Sequence, residues 1–270
     1  MKYEIDTIPV WDAVKADTEC PICLLESRSR QSAVRYFLGP SVMVPEVRVT
    51  VNKKGFSPEN LRLLSKDPNK LGLALLHHTR IKTLREEMDK PLQALRKEAQ
   101  RHQDRGTVRK LVGNKSLTEN TAALALWLEE QERTCLIEDK VRSDVERYLF
   151  TLLHLWQQDN EFRSVWKTSK ATCLHHAPGL LKAAVEHLST FHQAAFLEEF
   201  VVLLDQNLAR IEEDILAFTQ TFDATKSRVL VGRPEGALDR CLQKLAGAFP
   251  EYEEAQKSRR GPLMGTIEST

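Results

Sequence analysis

Phe196-Leu197-Glu198-Glu199-Phe200-Val201-Val202-Leu203-Leu204-Asp205-Gln206-Asn207-Leu208-Ala209-Arg210-Ile211 lies in the middle of the longest periodic stretch of the chain, Leu180 to Phe222. Apolar residues recur there three or four positions apart, the period of a helix with one buried face. The same spacing appears upstream in Leu73, Leu76, Ile81, Leu84 and Met88, with Leu92 and Leu95 beyond Pro91. Pro91 is expected to kink that helix or restart it. Ser116 and Glu119 form a capping-box signature before Leu124, Trp127 and Leu128. Val141 to Trp156 and Gly236 to Phe249 read as further helices. Strand signals are few: Val47 to Val51 alternates β-branched residues, and Ile5 to Val10 does so more weakly. The fold class that follows is mainly α.

Composition narrows the function classes. Lys and Arg number 39 against 38 Asp and Glu, so a formal charge of +1 exerts no global pull on nucleic acid or an anionic membrane. An apolar fraction of 41% is too high for disorder, and 270 residues bury a core without needing disulfides. The start, Met1-Lys2-Tyr3-Glu4-Ile5-Asp6, is unlike a signal peptide, and no uncharged run reaches membrane-spanning length. A soluble cytoplasmic protein is expected. There thiols stay reduced, and the five cysteines point to metal or redox chemistry rather than structural disulfides.

An internal echo gives those cysteines a pattern. Cys20-Pro21-Ile22-Cys23 is followed by Gly55-Phe56-Ser57-Pro58-Glu59-Asn60, and Cys135-Leu136-Ile137-Glu138 by Thr172-Cys173-Leu174-His175-His176. Superposing Cys20 on Cys135 puts Cys23 on Glu138, Ser57 on Cys173 and Asn60 on His176. A C-x-x-C turn can aim two thiolates at one ion, and a Cys and a His three apart at a helix start can supply the other two ligands. The complete unit would be C-x-x-C…C-x-x-H, and neither unit is complete. Ligand counting within each repeat assigns a zinc to the second, held by Cys135, Glu138, Cys173 and His176, and leaves Cys20 and Cys23 as a weaker or lost site. The division expected is an N-terminal repeat over 1–90, a basic helical linker over 91–118, a second repeat with long helices packing across the units over 119–257, and a flexible tail over 258–270.

Other readings compete. Cys20 and Cys23 also fit a thiol redox sensor or oxidoreductase, although no thioredoxin-like βαβ pattern surrounds them. Arg80 to Lys115 carries Arg96, Lys97, Arg101, Arg105, Arg109 and Lys110; without interleaved aromatics it reads as a solvated helix and linker before it reads as a nucleic-acid surface. Cys241 reads as a small buried hydrophobe. His77, His78, His175, His187 and His192 read as surface or core histidines. Glu198-Glu199 and Glu212-Glu213-Asp214 read as a solvated face. No G-x-S-x-G, Walker, dinucleotide or H-E-x-x-H motif occurs, so an enzyme is not expected. An unidentified protein partner, or a homodimer through Leu180 to Phe222, remains open, because periodicity does not separate an internal core from an interface.

Met1 to Ala13, the Cys20 to Cys23 turn, Phe37-Leu38-Gly39-Pro40-Ser41-Val42-Met43, Asn52 to Phe56, Leu71 to Leu75, Gly236 to Arg240 and Leu245-Ala246-Gly247 resemble a bacterial family of unknown function. Some of its members are labelled automatically as ABC-transporter substrate-binding proteins, a label that the absence of a recognisable signal start does not support. The resemblance implies a fuller frame, C-x-x-C with G-F-C-x-x-H and then C-x-x-C with C-L-x-H. By that comparison Ser57, Asn60 and Glu138 replace ligands. It implies no activity.

Overall fold

The computed structural model describes residues 4–104, 115–222 and 232–247. It is 84% helical, with eleven α-helices and no strand among the described residues. In chain order these are α1 (Glu4–Lys15), α2 (Pro21–Leu38), a 3₁₀ turn (Pro40–Met43), α3 (Pro45–Lys54), α4 (Pro58–Lys66), α5 (Lys70–Gln103), α6 (Lys115–Arg133), α7 (Leu136–Gln158), α8 (Asn160–Lys167), α9 (Ala177–His187), α10 (Thr190–Gln220) and α11 (Ala237–Ala246). None of these helices is long and apolar enough to cross a membrane.

Both strand expectations are overturned. Val47 to Val51 lies in α3, which has Pro45 at its first turn, Glu46 beside it, Lys53 and Lys54 in the last turn, and Gly55 at the C-cap. These end signals outweigh the β-branched alternation. Val51 is buried and Val49 exposed, with Val47 half-buried on Val51's side, a spacing of four that only a helix satisfies. Ile5 to Val10 lies in α1, where Val10, Ala13 and Val14 are buried while Ile8 is exposed. Pro91 neither ends nor restarts α5, which runs through it. The long periodic region is instead broken once, at Leu188 and Ser189, where Gln193 Nε2 donates to the carbonyls of Val185 and Leu188 at 2.8 Å each. Arg105, Arg109 and Lys110 of the basic stretch, and the tail 258–270, lie outside the described residues.

The chain divides into two units that are not consecutive in sequence: residues 1–29 with 143–270, and residues 30–142. This differs from the serial repeats at 1–90 and 119–257, and the cause is packing. In the first unit the N-terminal helix and the later helices share one core, with Val10, Ile22, Leu25, Leu152, Trp156, Phe162, Trp166, Phe196 and Phe200 buried together. Trp11 meets Phe162 edge-on at 5.1 Å. Glu199 is no solvated acid: it accepts from Trp156 Nε1 at 3.0 Å and from Arg163 Nε at 2.9 Å. Burial pushes its carboxyl up, and these bonds with the nearby Arg163 and Lys167 charges more than offset that and hold it low. Asp214 is likewise buried rather than solvated, accepting from the Arg233 N–H at 2.7 Å and Arg240 Nη2 at 2.8 Å.

The second unit is built on α5. α3 and α6 both pack against it, and Val51, Phe56, Leu64, Leu76 and Leu124 are buried. Phe37 meets Phe56 edge-on at 5.2 Å. Arg80, the start of the expected basic surface, turns inward and donates to the Asn52 carbonyl and, at 2.7 Å, to Gln131 Oε1.

Candidate metal centre

The first unit gathers Cys20, Cys23, Cys173 and His176, all buried, with one ligand atom of each lying within 4.8 Å of the others. Cys20 sits immediately before α2, and Cys23 lies in its first turn, beginning with Pro21. Proline at a helix start loses no needed hydrogen bond and presets the backbone, so the C-P-I-C turn holds both thiols at one helix end. Cys173 closes the turn into α9: its carbonyl accepts from the N–H of His176 at 3.2 Å and of Ala177 at 3.0 Å. That turn brings the His176 ring to its own Cys173.

Four of the six separations between these atoms lie near those of a tetrahedral site. Cys23 Sγ lies 3.6 Å from Cys173 Sγ. His176 Nδ1 lies 3.3 Å from Cys23 Sγ, 3.3 Å from Cys173 Sγ and 3.7 Å from Cys20 Sγ. An ion with metal–sulfur bonds of ~2.3 Å and metal–nitrogen bonds of ~2.0–2.1 Å, at tetrahedral angles, would hold sulfurs about 3.8 Å from each other and about 3.6 Å from the nitrogen. The other ring nitrogen, Nε2, faces Glu26 Oε2 at 3.2 Å, the carboxylate–histidine arrangement that orients a metal-bound imidazole. Burial drags the His176 imidazole down, but hydrogen bonds to Cys173, Cys20 and Glu26 more than offset it and carry it up to about 11. Hydrogen bonds from Cys20 and Cys23, with His176 alongside, hold the Cys173 thiol low. A dication entering there would take the place of the protons that lie between the sulfurs and the ring nitrogen.

The second unit gathers the remaining frame residues into a different object. Ser57 caps α4, and the buried Asn60 amide nitrogen lies 3.1 Å from Ser57 Oγ, 3.4 Å from Cys135 Sγ and 2.6 Å from Glu138 Oε1. Arg30 Nη1 pairs with the same Glu138 oxygen and approaches Asn60 Oδ1 at 3.5 Å. The Cys135 loop is held there by the Leu136 N–H donating to the Gly55 carbonyl at 3.1 Å. Gly55 has φ +69°, and a Cβ would come 3.3 Å from Arg80 Nε, so glycine alone lets that carbonyl reach Leu136. An amide, a hydroxyl, one thiol and a carboxylate already neutralised by a guanidinium form a hydrogen-bonded knot. With two N–H groups turned toward the carboxylate, it is a poor cation site.

The four residues that along-chain spacing groups as one zinc set are therefore divided. Cys173 and His176 meet Cys20 and Cys23 in the first unit; Cys135 and Glu138 meet Ser57 and Asn60 in the second. Cys241 is only half-buried, and His175 is exposed, its ring edge-on to His176 at 4.9 Å. Three residues around the first cluster escaped the sequence reading. Glu26 lies one turn after Cys23, on the same helix face. Lys244 shares a face of α11 with Ala237 and Cys241, a spacing that places a lysine among apolar neighbours, and it is fully buried. Glu19, also buried, pairs with Arg210, with Lys170 at 3.4 Å and with Lys244 at 3.7 Å.

A model of a family of unknown function, DUF6062, matches residues 1–252. The chain belongs to that family. No curated protein and no solved structure matches this DUF6062 chain. Among its described residues, the chemistry on offer is the S₃N cluster of the first unit.

Proposed function

We propose that the protein is a non-enzymatic binding or scaffold protein whose first unit is locked by a structural zinc ion held by Cys20, Cys23, Cys173 and His176. The observation that carries this reading is the set of four buried ligand atoms, three sulfurs and one nitrogen, all within 4.8 Å of one another. Thiolate and imidazole donors suit zinc, and four protein ligands leave no open position for a reacting water, which favours a structural over a catalytic ion. The metal would join the loop before α2 to the loop before α9 inside one core. Burial of Cys20 and Cys23 also disfavours the redox reading, because a partner disulfide needs an exposed thiolate to approach. The experiment is elemental analysis of protein purified without chelator. One zinc per chain, lost on Cys173→Ser, is expected; a metal-free wild-type chain whose stability is indifferent to Cys173→Ser would end the proposal.

A further inference from the structure

α11 approaches the cluster from a third segment of the chain. The Lys244 ammonium, fully buried, donates to the carbonyl of Glu19 at 2.8 Å, of Lys170 at 2.5 Å and of Thr172 at 3.4 Å. Glu19 immediately precedes Cys20, and Thr172 immediately precedes Cys173. The tie is returned by the backbone, since the Leu174 N–H donates to the Lys244 carbonyl at 2.8 Å. One turn further on, Gly247 lies against the sulfurs themselves: a Cβ there would sit 3.5 Å from Cys23 Sγ and 3.9 Å from Cys173 Sγ, and its φ of +89° suits glycine. An ammonium carries three N–H donors and no acceptor, and all three have a backbone carbonyl beside one or other ligand loop. An apolar side chain would fill the space of the stem, so what the lysine adds is its hold on those carbonyls and its pairing with the Glu19 carboxylate at 3.7 Å.

We propose that Lys244 is the positioning residue of the metal centre, tying the Cys20 loop to the Cys173 loop so that the four ligands are in place before metal arrives, with Gly247 sealing the thiolates from water. This rests on the zinc reading above. Without the tie the two loops are ordered only by the ion, and the cost of ordering them falls on metal binding.

The test uses the full chain with Cys135→Ser and Cys241→Ser, so that only the three cluster thiols remain. Two rates are measured: zinc release to excess chelator, and labelling of the chelated protein by 5,5′-dithiobis(2-nitrobenzoate). Lys244→Met, which keeps the stem and removes the donors, is compared with Leu203→Ala, a truncation elsewhere in the same core. Lys244→Met is expected to release zinc about 10- to 100-fold faster than Leu203→Ala at equal loss of Tm, the range for removing a group that orients metal ligands, and to label faster as well. Gly247→Ala, which leaves Lys244 in place, should move both rates in the same direction and serves if Lys244→Met does not fold. Rates no faster than those of Leu203→Ala would overturn the proposal. A wild-type chain without metal would remove the zinc reading alone, because the labelling rates still decide whether Lys244 holds the loops.

Discussion

Replacing Cys20 and Cys135 separately by serine sets the spatial grouping of the frame against the grouping that sequence spacing suggests. Zinc bound only to the folded state stabilises it by RT ln(1 + [Zn]/Kd), so each decade of free zinc above Kd adds about 1.4 kcal/mol. The unit formed by residues 1–29 and 143–270 falls in the size range where 1 kcal/mol moves Tm by about 2–4 °C. The wild-type Tm should therefore climb about 3–6 °C per decade of free zinc. Cys135 is not one of the four residues gathered in the S₃N cluster; its sulfur receives an Asn60 N–H at 3.4 Å, a contact that a serine hydroxyl can replace in kind. Cys135→Ser should shift the whole line by no more than about 1 kcal/mol and leave its slope intact. Cys20→Ser removes one of four ligands and should flatten the slope over the same zinc range. Thermal scans in metal buffers of fixed free zinc read both quantities. A flat line for Cys135→Ser with a retained slope for Cys20→Ser would refute the geometric grouping and restore the pairing of Cys135 and Glu138 with Cys173 and His176.

Two further outcomes follow from residues around the core of the first unit. Glu26→Gln keeps an acceptor beside His176 Nε2, 3.2 Å away in the wild type, but removes the charge that makes the imidazole a better donor; competition against a chelator should show about 10- to 100-fold weaker zinc binding, and unchanged affinity would discount the pair. Asp214 links pH to stability: burial pushes its carboxyl up, and the Arg233 N–H and Arg240 guanidinium more than offset that and hold it below its ordinary value. A carboxyl whose pKa is lower folded than unfolded contributes in full above the unfolded value of about 3.9 and loses that contribution as pH falls through the folded value. Asp214→Asn should cost about 1.5–3 kcal/mol at neutral pH and flatten the fall of the urea midpoint below about pH 4; an unchanged acid limb would assign that fall to other carboxylates.

The helices were legible because their period is local, and the misreadings share a physical cause. At Val47 to Val51 a residue-by-residue β preference competes with Pro45, Glu46, Lys53, Lys54 and Gly55 at the ends, and the ends decide. At Ser189 the break was visible in principle, since a serine before Thr190 is an N-cap residue inside an otherwise continuous pattern. The chemical identity of the frame was legible too: Cys20, Cys23, Cys173 and His176 are all metal-ligand types at helix starts, while Ser57, Asn60 and Glu138 mark where ligands are missing. Grouping was not legible, because spacing measures distance along the chain. Cys135 is 38 residues from Cys173 and Cys20 is 153 residues from it, which makes the nearer pairing look cheaper. Loop-closure cost grows only with the logarithm of length, about 0.6 kcal/mol per doubling, so this fourfold difference is worth only about 1.2 kcal/mol. Fully burying a single phenylalanine such as Phe162 is worth about 1.5–3 kcal/mol, and Phe162 is one of many that the non-consecutive unit buries with residues of α1 and α2. Core burial therefore outweighs along-chain proximity, and the ligands meet where their helices are already packed.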